Sequence, residues 1–241
     1  MIEETKKQHK HLTPEDIKKG CLETAPGDDP NSVRICRINK ELVQGMTEME
    51  AYNRSVTFYG SARFKEGDEF YDKARNLGSR IAKELGFAVI TGGGPGIMEA
   101  GNRGAFEAGG KSVGASIRLP MEQHDNPYTT DAIPFNFFFA RKVALSFSSE
   151  VFVYFPGGFG TLDECFEVVT LLQTGKLKPI PVILYGTEFW NPLMDFARKI
   201  MLEKYKTISE EDFNIFTVTD DDELVLKTIR EAKDRKDNRL D

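Results

Sequence analysis

Histidine, cysteine and tryptophan are scarce in this chain of 241 residues, which has three, three and one of them. Cys21, Cys36 and Cys165 form no C-x-x-C pair and no even set, so neither a disulfide framework nor a cysteine-held zinc is expected. His9 and His11 fall in a polar N-terminal stretch and His124 stands alone in a loop, which argues against a histidine triad and a histidine-rich metal centre. No apolar run nears the roughly 18–20 residues of a membrane span. The opening "MIEETKKQHKHLTPED" has no apolar core of the kind a signal peptide needs, so the expectation is a cytoplasmic chain without membrane attachment. Basic blocks are also missing: the net charge is −6 and lysines cluster only in short pairs, which argues against a nucleic-acid platform.

The hydrophobic share of 40% and charged share of 29% are those of a globular protein, and the length suits one α/β domain with an appendage. Residues 1–50 are expected to form an N-terminal arm and a flanking helix, and 51–241 a catalytic domain. The arm carries Pro14, Pro26 and Pro30, with one short helix expected after Thr13-Pro14-Glu15-Asp16. Ile38, Leu42, Met46 and Met49 lie on one helical stripe, as in a helix packed on the domain's flank.

From Ser55 onward short apolar runs alternate with amphipathic stretches. "SVTFYG", "FAVITG", "SVGASI", "AIPF", "EVFVYF", "IPVILYG" and "NIFTVT" have the look of strands. Helices are expected around Phe70–Leu85 and at about 97–109, 138–149, 161–175, 189–205 and 221–235. Strands without polar alternation, separated by helices, predict a Rossmann-like, doubly wound α/β sheet of about seven mainly parallel strands with helices on both faces. In such a sheet ligands bind beyond the carboxyl ends of the strands.

Three strand ends carry unusual residues: Tyr59-Gly-Ser-Ala-Arg63, "TGGGPGIME" from Thr91 to Glu99, and "FPGGFGTLDE" from Phe155 to Glu164. Glycines before a helix let main-chain amides approach an anion, although tight turns and helix–sheet packing also require them. The dinucleotide fingerprint G-x-G-x-x-G fails, because its sixth place falls on Ile97 or Glu99. A Walker loop ending in "GGKS" at 109–112 has Ala105 in place of its first glycine. Thr161 and Glu164 have the spacing of a capping box, which competes with a functional role for the pair. Against a cap alone stand the open space that three glycines leave and the Arg141-Lys142 pair at the start of the preceding helix. An arginine and a carboxylate at adjacent strand ends suit cleavage at a sugar's anomeric carbon, with the phosphate on the glycine amides.

"VITGGGPGIMEAGNRGAFEAGG", "RKVALSF" and "PGGFGTLDECFEVVTLLQTGK" resemble the LOG ("lonely guy") family of cytokinin riboside 5′-monophosphate phosphoribohydrolases and related nucleotide 5′-monophosphate nucleosidases. The resemblance runs from about Arg34 to Thr219 and includes the whole of PGGxGTxxE at Pro156–Glu164. It implies Arg141 and Glu164 as the catalytic pair, and Gly157, Gly158, Gly160 and Thr161 as the phosphate seat. Ser61, Gly93, Gly94, Met98 and Lys142 are implied in the nucleotide pocket. The implied reaction splits an AMP-like nucleoside monophosphate into free base and ribose 5-phosphate, with no metal or organic cofactor, in a homodimer or larger assembly. The chain adds about 50 N-terminal residues and a helix beyond Thr219 to the plant-type members. The loop "MEQHDNPYTTDAIPFNFF" resembles the bacterial branch, and residues of "MEQHDNPY" are expected to tune base choice. The family's frequent label, lysine decarboxylase-like, finds no Schiff-base lysine motif here. The alternative is a non-catalytic carrier or binding protein for a nucleotide or molybdenum cofactor, and a third reading is a nucleotide sensor.

Overall fold

The computed structural model describes residues 30–118 and 126–233. The short helix expected after Thr13, all three histidines and the segment 119–125 of the base-choice loop lie outside the described residues.

Each of the seven apolar runs forms a strand: β1 Ser55–Tyr59, β2 Ala88–Thr91, β3 Ser112–Ile117, β4 Asp131–Phe135, β5 Val151–Tyr154, β6 Val182–Tyr185 and β7 Phe216–Thr219. They make one sheet in the order β4-β3-β2-β1-β5-β6-β7, and every pairing is parallel. Helix α1 Pro30–Met49 precedes β1, α2 Glu69–Arg80, α3 Ile97–Glu107, α4 Phe138–Ser146, α5 Phe159–Gln173 and α6 Thr187–Phe196 lie between strands, and α7 Asp222–Glu231 follows β7. Helices α2 and α6 run on into π-helical turns at Ile81–Leu85 and Ala197–Lys204.

Successive side chains of a strand face opposite ways, so a sheet covered on both sides must bury both sets. Val56 and Phe58 of β1 pack with Leu77 of α2, Ile97 of α3 and Ile229 of α7 on one face. Tyr59, Phe152 and Tyr154 pack with Ala140 and Leu145 of α4, Val168 of α5 and Trp190 of α6 on the other. Helices α2 and α3 approach so closely that a side-chain carbon on Gly78 would stand 2.5 Å from the Gly101 carbonyl oxygen. Similarly, one on Gly104 would overlap the Arg75 carbonyl oxygen.

The stripe expected on α1 holds at Leu42, which packs against the core, and at Met49, which is buried. Met46 is 38% exposed instead, because Gly45 takes the inward place against the Phe135 ring and Ala144. Glu41 of α1 reaches the turn before α4, accepting hydrogen bonds from the backbone of Asn136 (2.9 Å) and Phe137 (2.8 Å). Through that contact the N-terminal helix fixes the start of the helix that carries Arg141.

The chain order of the sheet reverses at β1. Strands β2 to β4 extend to one side of it, and β5 to β7 to the other. A crevice opens at the carboxyl ends of two strands that diverge in this way. Here those ends are Tyr59-Gly60-Ser61 and Tyr154–Gly158.

Candidate active site

The glycine-rich turn after β5 sets the floor of the crevice. Helix α5 begins at Phe159 with Gly158 as its cap residue, and no side chain caps it. Thr161 therefore lies inside the first turn, and the capping box that its spacing with Glu164 allowed is not formed. The amide N–H groups at a helix start have no intrahelical partner. Around them, carbons added to Gly158 or Gly160 would meet nothing within 4 Å. An uncapped, sterically open helix start favours an anion through both its amides and its dipole. The loop is held against the end of β1, where the Ser61 amide donates to the Pro156 carbonyl at 3.0 Å.

A cavity of about 330 Å³ lies over this turn, lined among others by Ser61, Met98, Arg141, Gly158, Gly160, Thr161 and Glu164. Seven of the expected site residues thus share one cavity. Gly157 sits behind it, so close to Thr161 that a side-chain carbon would overlap the threonine hydroxyl. Gly92 lines the cavity where Gly93 and Gly94 were expected. Lys142 turns away from it, its ammonium 2.9 Å from Asp163 and 3.0 Å from Glu167 on α5. That pairing ties the helix bearing Arg141 to the helix bearing Glu164.

Arg63, Ile117 and Phe138 also line the cavity, and sequence reasoning did not select them. Arg63 stood inside the quoted strand-end stretch. Phe138 begins α4 three residues before Arg141, with its ring centroid 5.6 Å from the guanidinium carbon. A cation over an aromatic face at that distance is attracted by the ring quadrupole.

Arg141 Nη2 stands 3.6 Å from Glu164 Oε1, with 13% and 17% of the two side chains exposed. That distance is an ionic contact and too long for a hydrogen bond. Arg141 Nε is buried without a hydrogen-bond partner. Burial pushes the Glu164 carboxyl up to about 7, against the opposing pull of Arg141 and Lys142. A carboxyl balanced near neutrality can hold or release a proton at working pH, as general acid–base chemistry requires. Burial works to depress Lys142, yet Asp163 and Glu167 outweigh it and hold the ammonium above its ordinary value.

The cavity is mixed in character. Its lining combines the open amides and Thr161, which favour an anion, with the charged Arg63, Arg141 and Glu164 and the apolar Met98, Ile117 and Phe138. Among the described residues no cluster of His, Cys, Asp or Glu could hold a metal ion. None of the described helices is long and apolar enough to cross a membrane.

The family model described as "Possible lysine decarboxylase" matches residues 98–229, more than half of the chain. The chain is 24% identical over 180 residues to a probable cytokinin riboside 5′-monophosphate phosphoribohydrolase, LOGL6 of Oryza sativa subsp. japonica, covering 73% of this chain and 71% of that one. It is 27% identical over 158 residues to the cytokinin riboside 5′-monophosphate phosphoribohydrolase of Rhodococcoides fascians, covering 64% and 79%. Among solved structures, the X-ray structure of TM1055 aligns with a TM-score of 0.54 at 25% identity, over 74% of this chain and 99% of that one. The molybdenum cofactor binding protein of Rippkaea orientalis aligns at 0.52 with 22% identity, over 73% and 93%, a likeness of fold.

Proposed function

Because this chain belongs to the family described as "Possible lysine decarboxylase", the LOG family, whose relatives include cytokinin riboside 5′-monophosphate phosphoribohydrolases, we propose that it hydrolyses the N-glycosidic bond of nucleoside 5′-monophosphates. The observation that carries this reading is that Arg141 and Glu164, 3.6 Å apart, share one cavity with the uncapped glycine turn and with the apolar Met98, Ile117 and Phe138.

In the proposed mechanism the 5′-phosphate rests on the amides of the Gly158–Thr161 turn, and the base lies against Met98, Ile117 and Phe138. The ribose C1′ then falls beside Glu164. The C1′–N bond breaks with its electron pair leaving on the base, which takes up a proton from solvent, replaced when Glu164 gives up the one it takes from water. Ionised Glu164 steadies the positive charge growing on the ribose and accepts a proton from the incoming water, whose oxygen bonds to C1′. Arg141 holds that carboxylate in place and faces the ribose. Products are the free base and ribose 5-phosphate. AMP is the simplest substrate of this form, and a cytokinin riboside monophosphate is the same skeleton with a bulkier base. Residues 51–241 supply all these groups.

The family's descriptive label fits the cavity poorly. A Schiff-base decarboxylase needs a lysine at the reacting carbon, whereas no lysine is among the lining residues described, and Lys142 is engaged by two carboxylates.

Exposed aromatic residues at and near the site, with Phe138 at 55%, Phe139 at 45% and Phe159 at 91%, support a second copy of the chain covering this face. Size-exclusion with light scattering should then give a dimer or larger, and a monomer at all concentrations would refute that part.

The activity is tested by incubating pure protein with a panel of nucleoside 5′-monophosphates and the matching nucleosides, then separating products by chromatography. Free base and ribose 5-phosphate should appear from the monophosphates and not from the nucleosides. Tight binding with every nucleotide recovered intact would instead identify a carrier and overturn the hydrolase.

A further inference from the structure

A buried polar network joins the glycine loop after β2 to Asn126, which precedes β4 in the chain. Thr91, Asn102, Ser112 and Asn126 are all buried. The Gly93 amide donates to Thr91 Oγ1 at 2.9 Å, and the Thr91 hydroxyl donates to Asn102 Oδ1 at 2.5 Å. Asn126 Nδ2 donates to the same Asn102 oxygen at 3.0 Å and to the Gly94 carbonyl at 3.2 Å. Its main-chain amide donates to the Gly93 carbonyl at 2.9 Å. Asn102 Nδ2 in turn donates to Ser112 Oγ at 2.9 Å and to the Val113 carbonyl at 3.2 Å. Every amide N–H of the two asparagine side chains is used, so neither amide can flip without losing bonds.

The glycine loop so clamped has a direct neighbour in the site. A side-chain carbon at Gly92 would stand 2.8 Å from Met98 Sδ and 3.5 Å from Arg141 Nη1. Gly92 therefore leaves room for little more than a side-chain carbon beside the guanidinium, which also has Phe138 and Glu164 as neighbours. Gly93 takes a left-handed φ of 72°, which glycine adopts without a Cβ clash, and its amide and carbonyl are both hydrogen-bonded within this network.

We propose that Asn126 and Asn102 are positioning residues of this site, holding the Gly92–Gly94 loop so that it backs the Arg141 guanidinium against Glu164. This rests on the hydrolase reading only for its effect on turnover. The placement of Arg141 itself has a separate readout. The groups facing Glu164 are Arg141 and Lys142, which favour its ionised form, and Asp163 and Glu167, which oppose it. Only the first depends on the glycine loop, because Lys142 is held by Asp163 and Glu167 from α5.

The test compares wild type, Asn126→Ala and Asn126→Asp, with Asn126→Ser as the milder change where Ala gives no folded protein. Asp keeps the shape but points an acceptor at two oxygens, so it should act at least as strongly as Ala. Glutamate labelled with ¹³C at its side-chain carboxyl, with Glu164 assigned by its loss in Glu164→Gln, reports the titration without any turnover. A loosened Arg141 leaves Glu164 harder to ionise, so its midpoint should move to higher pH. With AMP, kcat should fall about 10–100-fold while KM changes less than about 3-fold, since a displaced group away from the phosphate costs rate more than binding. Ser149→Ala is the control. It removes the 2.6 Å contact between the buried Thr57 and Ser149 hydroxyls, which lies outside this network. It should lower stability and leave the Glu164 midpoint where it was. A folded Asn126 variant with an unmoved midpoint, or with the same shift as Ser149→Ala, would overturn the proposal. Absence of turnover in wild type would count against the hydrolase and leave the titration to decide this point.

Discussion

Glu164→Gln is expected to lower kcat for base release by roughly 10²–10⁴-fold, the usual cost of losing a general base or a charge that steadies the transition state. Glutamine keeps the volume of the side chain but can neither take a proton from water nor carry the negative charge that the ribose cation needs. KM should change little, because in the proposed pose the phosphate rests on amides of the Gly158–Thr161 turn and not on Glu164. The same substitution is expected to stabilise the fold. The Glu164 carboxyl titrates near 7 in the folded chain, above its ordinary value, chiefly through burial. Between its unfolded value, near 4.3, and 7 the folded state binds the extra proton, so this group's contribution falls as pH rises through that window. Above it the wild type bears the full cost of a buried charge, on the order of 3–4 kcal/mol. Thermal melts at pH 8 should therefore place Glu164→Gln above wild type, and melts near pH 4 should bring the two together. Less activity with more stability is the signature of a group kept for function. A variant that turns over AMP at the wild-type rate would remove Glu164 from the chemistry.

Gly104→Ala is expected to be the most damaging small change to the fold. Its new methyl would overlap the Arg75 carbonyl oxygen and come within 2.8 Å of the Ser79 amide nitrogen. Both are main-chain atoms of a packed helix, so no side-chain rotation relieves the clash. Helices α2 and α3 must separate, and overpacking of this kind costs about 1–3 kcal/mol or more. For a chain of this size each kcal/mol lowers Tm by roughly 2–4 °C. Helix α3 also carries Met98 into the cavity, so the displacement should reach the site. Gly160→Ala offers the contrast. Nothing lies within 4 Å of a methyl there, and alanine is the better helix former. Its stability should hold while the methyl crowds the phosphate amides and raises KM. Urea midpoints for the two variants check both expectations, and a Gly104→Ala midpoint equal to wild type would contradict the close packing of the helices.

The strands were legible because a sheet buried on both faces leaves short apolar runs, such as "VFVYF" at 151–155, rich in β-branched and aromatic residues and followed by Pro and Gly. Alternation with helices made the parallel pairing legible as well. The order of strands was not, since the reversal at β1 depends on which faces dock and not on any local pattern. The start of α5 was read at Thr161 and lies at Phe159. Gly-Phe-Gly carries weak helix propensity, and the two-residue difference moves Thr161 from the cap into the first turn, where it meets the cavity. Motif and chemistry together singled out Arg141 and Glu164, which the fold brings within 3.6 Å of each other in one cavity. Lys142 was not placed correctly because its partners, Asp163 and Glu167, lie about twenty positions downstream on another helix. Asn102 and Asn126 gave no signal either. Each is an ordinary polar residue until the fold brings their amides within 3.0 Å of one another.

The central claim is spatial: a sugar phosphate sits with its phosphate on the α5 turn and its anomeric carbon between a guanidinium and a carboxylate. A crystal structure of the protein soaked with ribose 5-phosphate measures that directly. The phosphate should accept hydrogen bonds from main-chain amides of the Gly158–Thr161 turn, with C1′ in contact distance of both Arg141 and Glu164. A phosphate bound elsewhere, or a C1′ pointing away from that pair, would contradict the account.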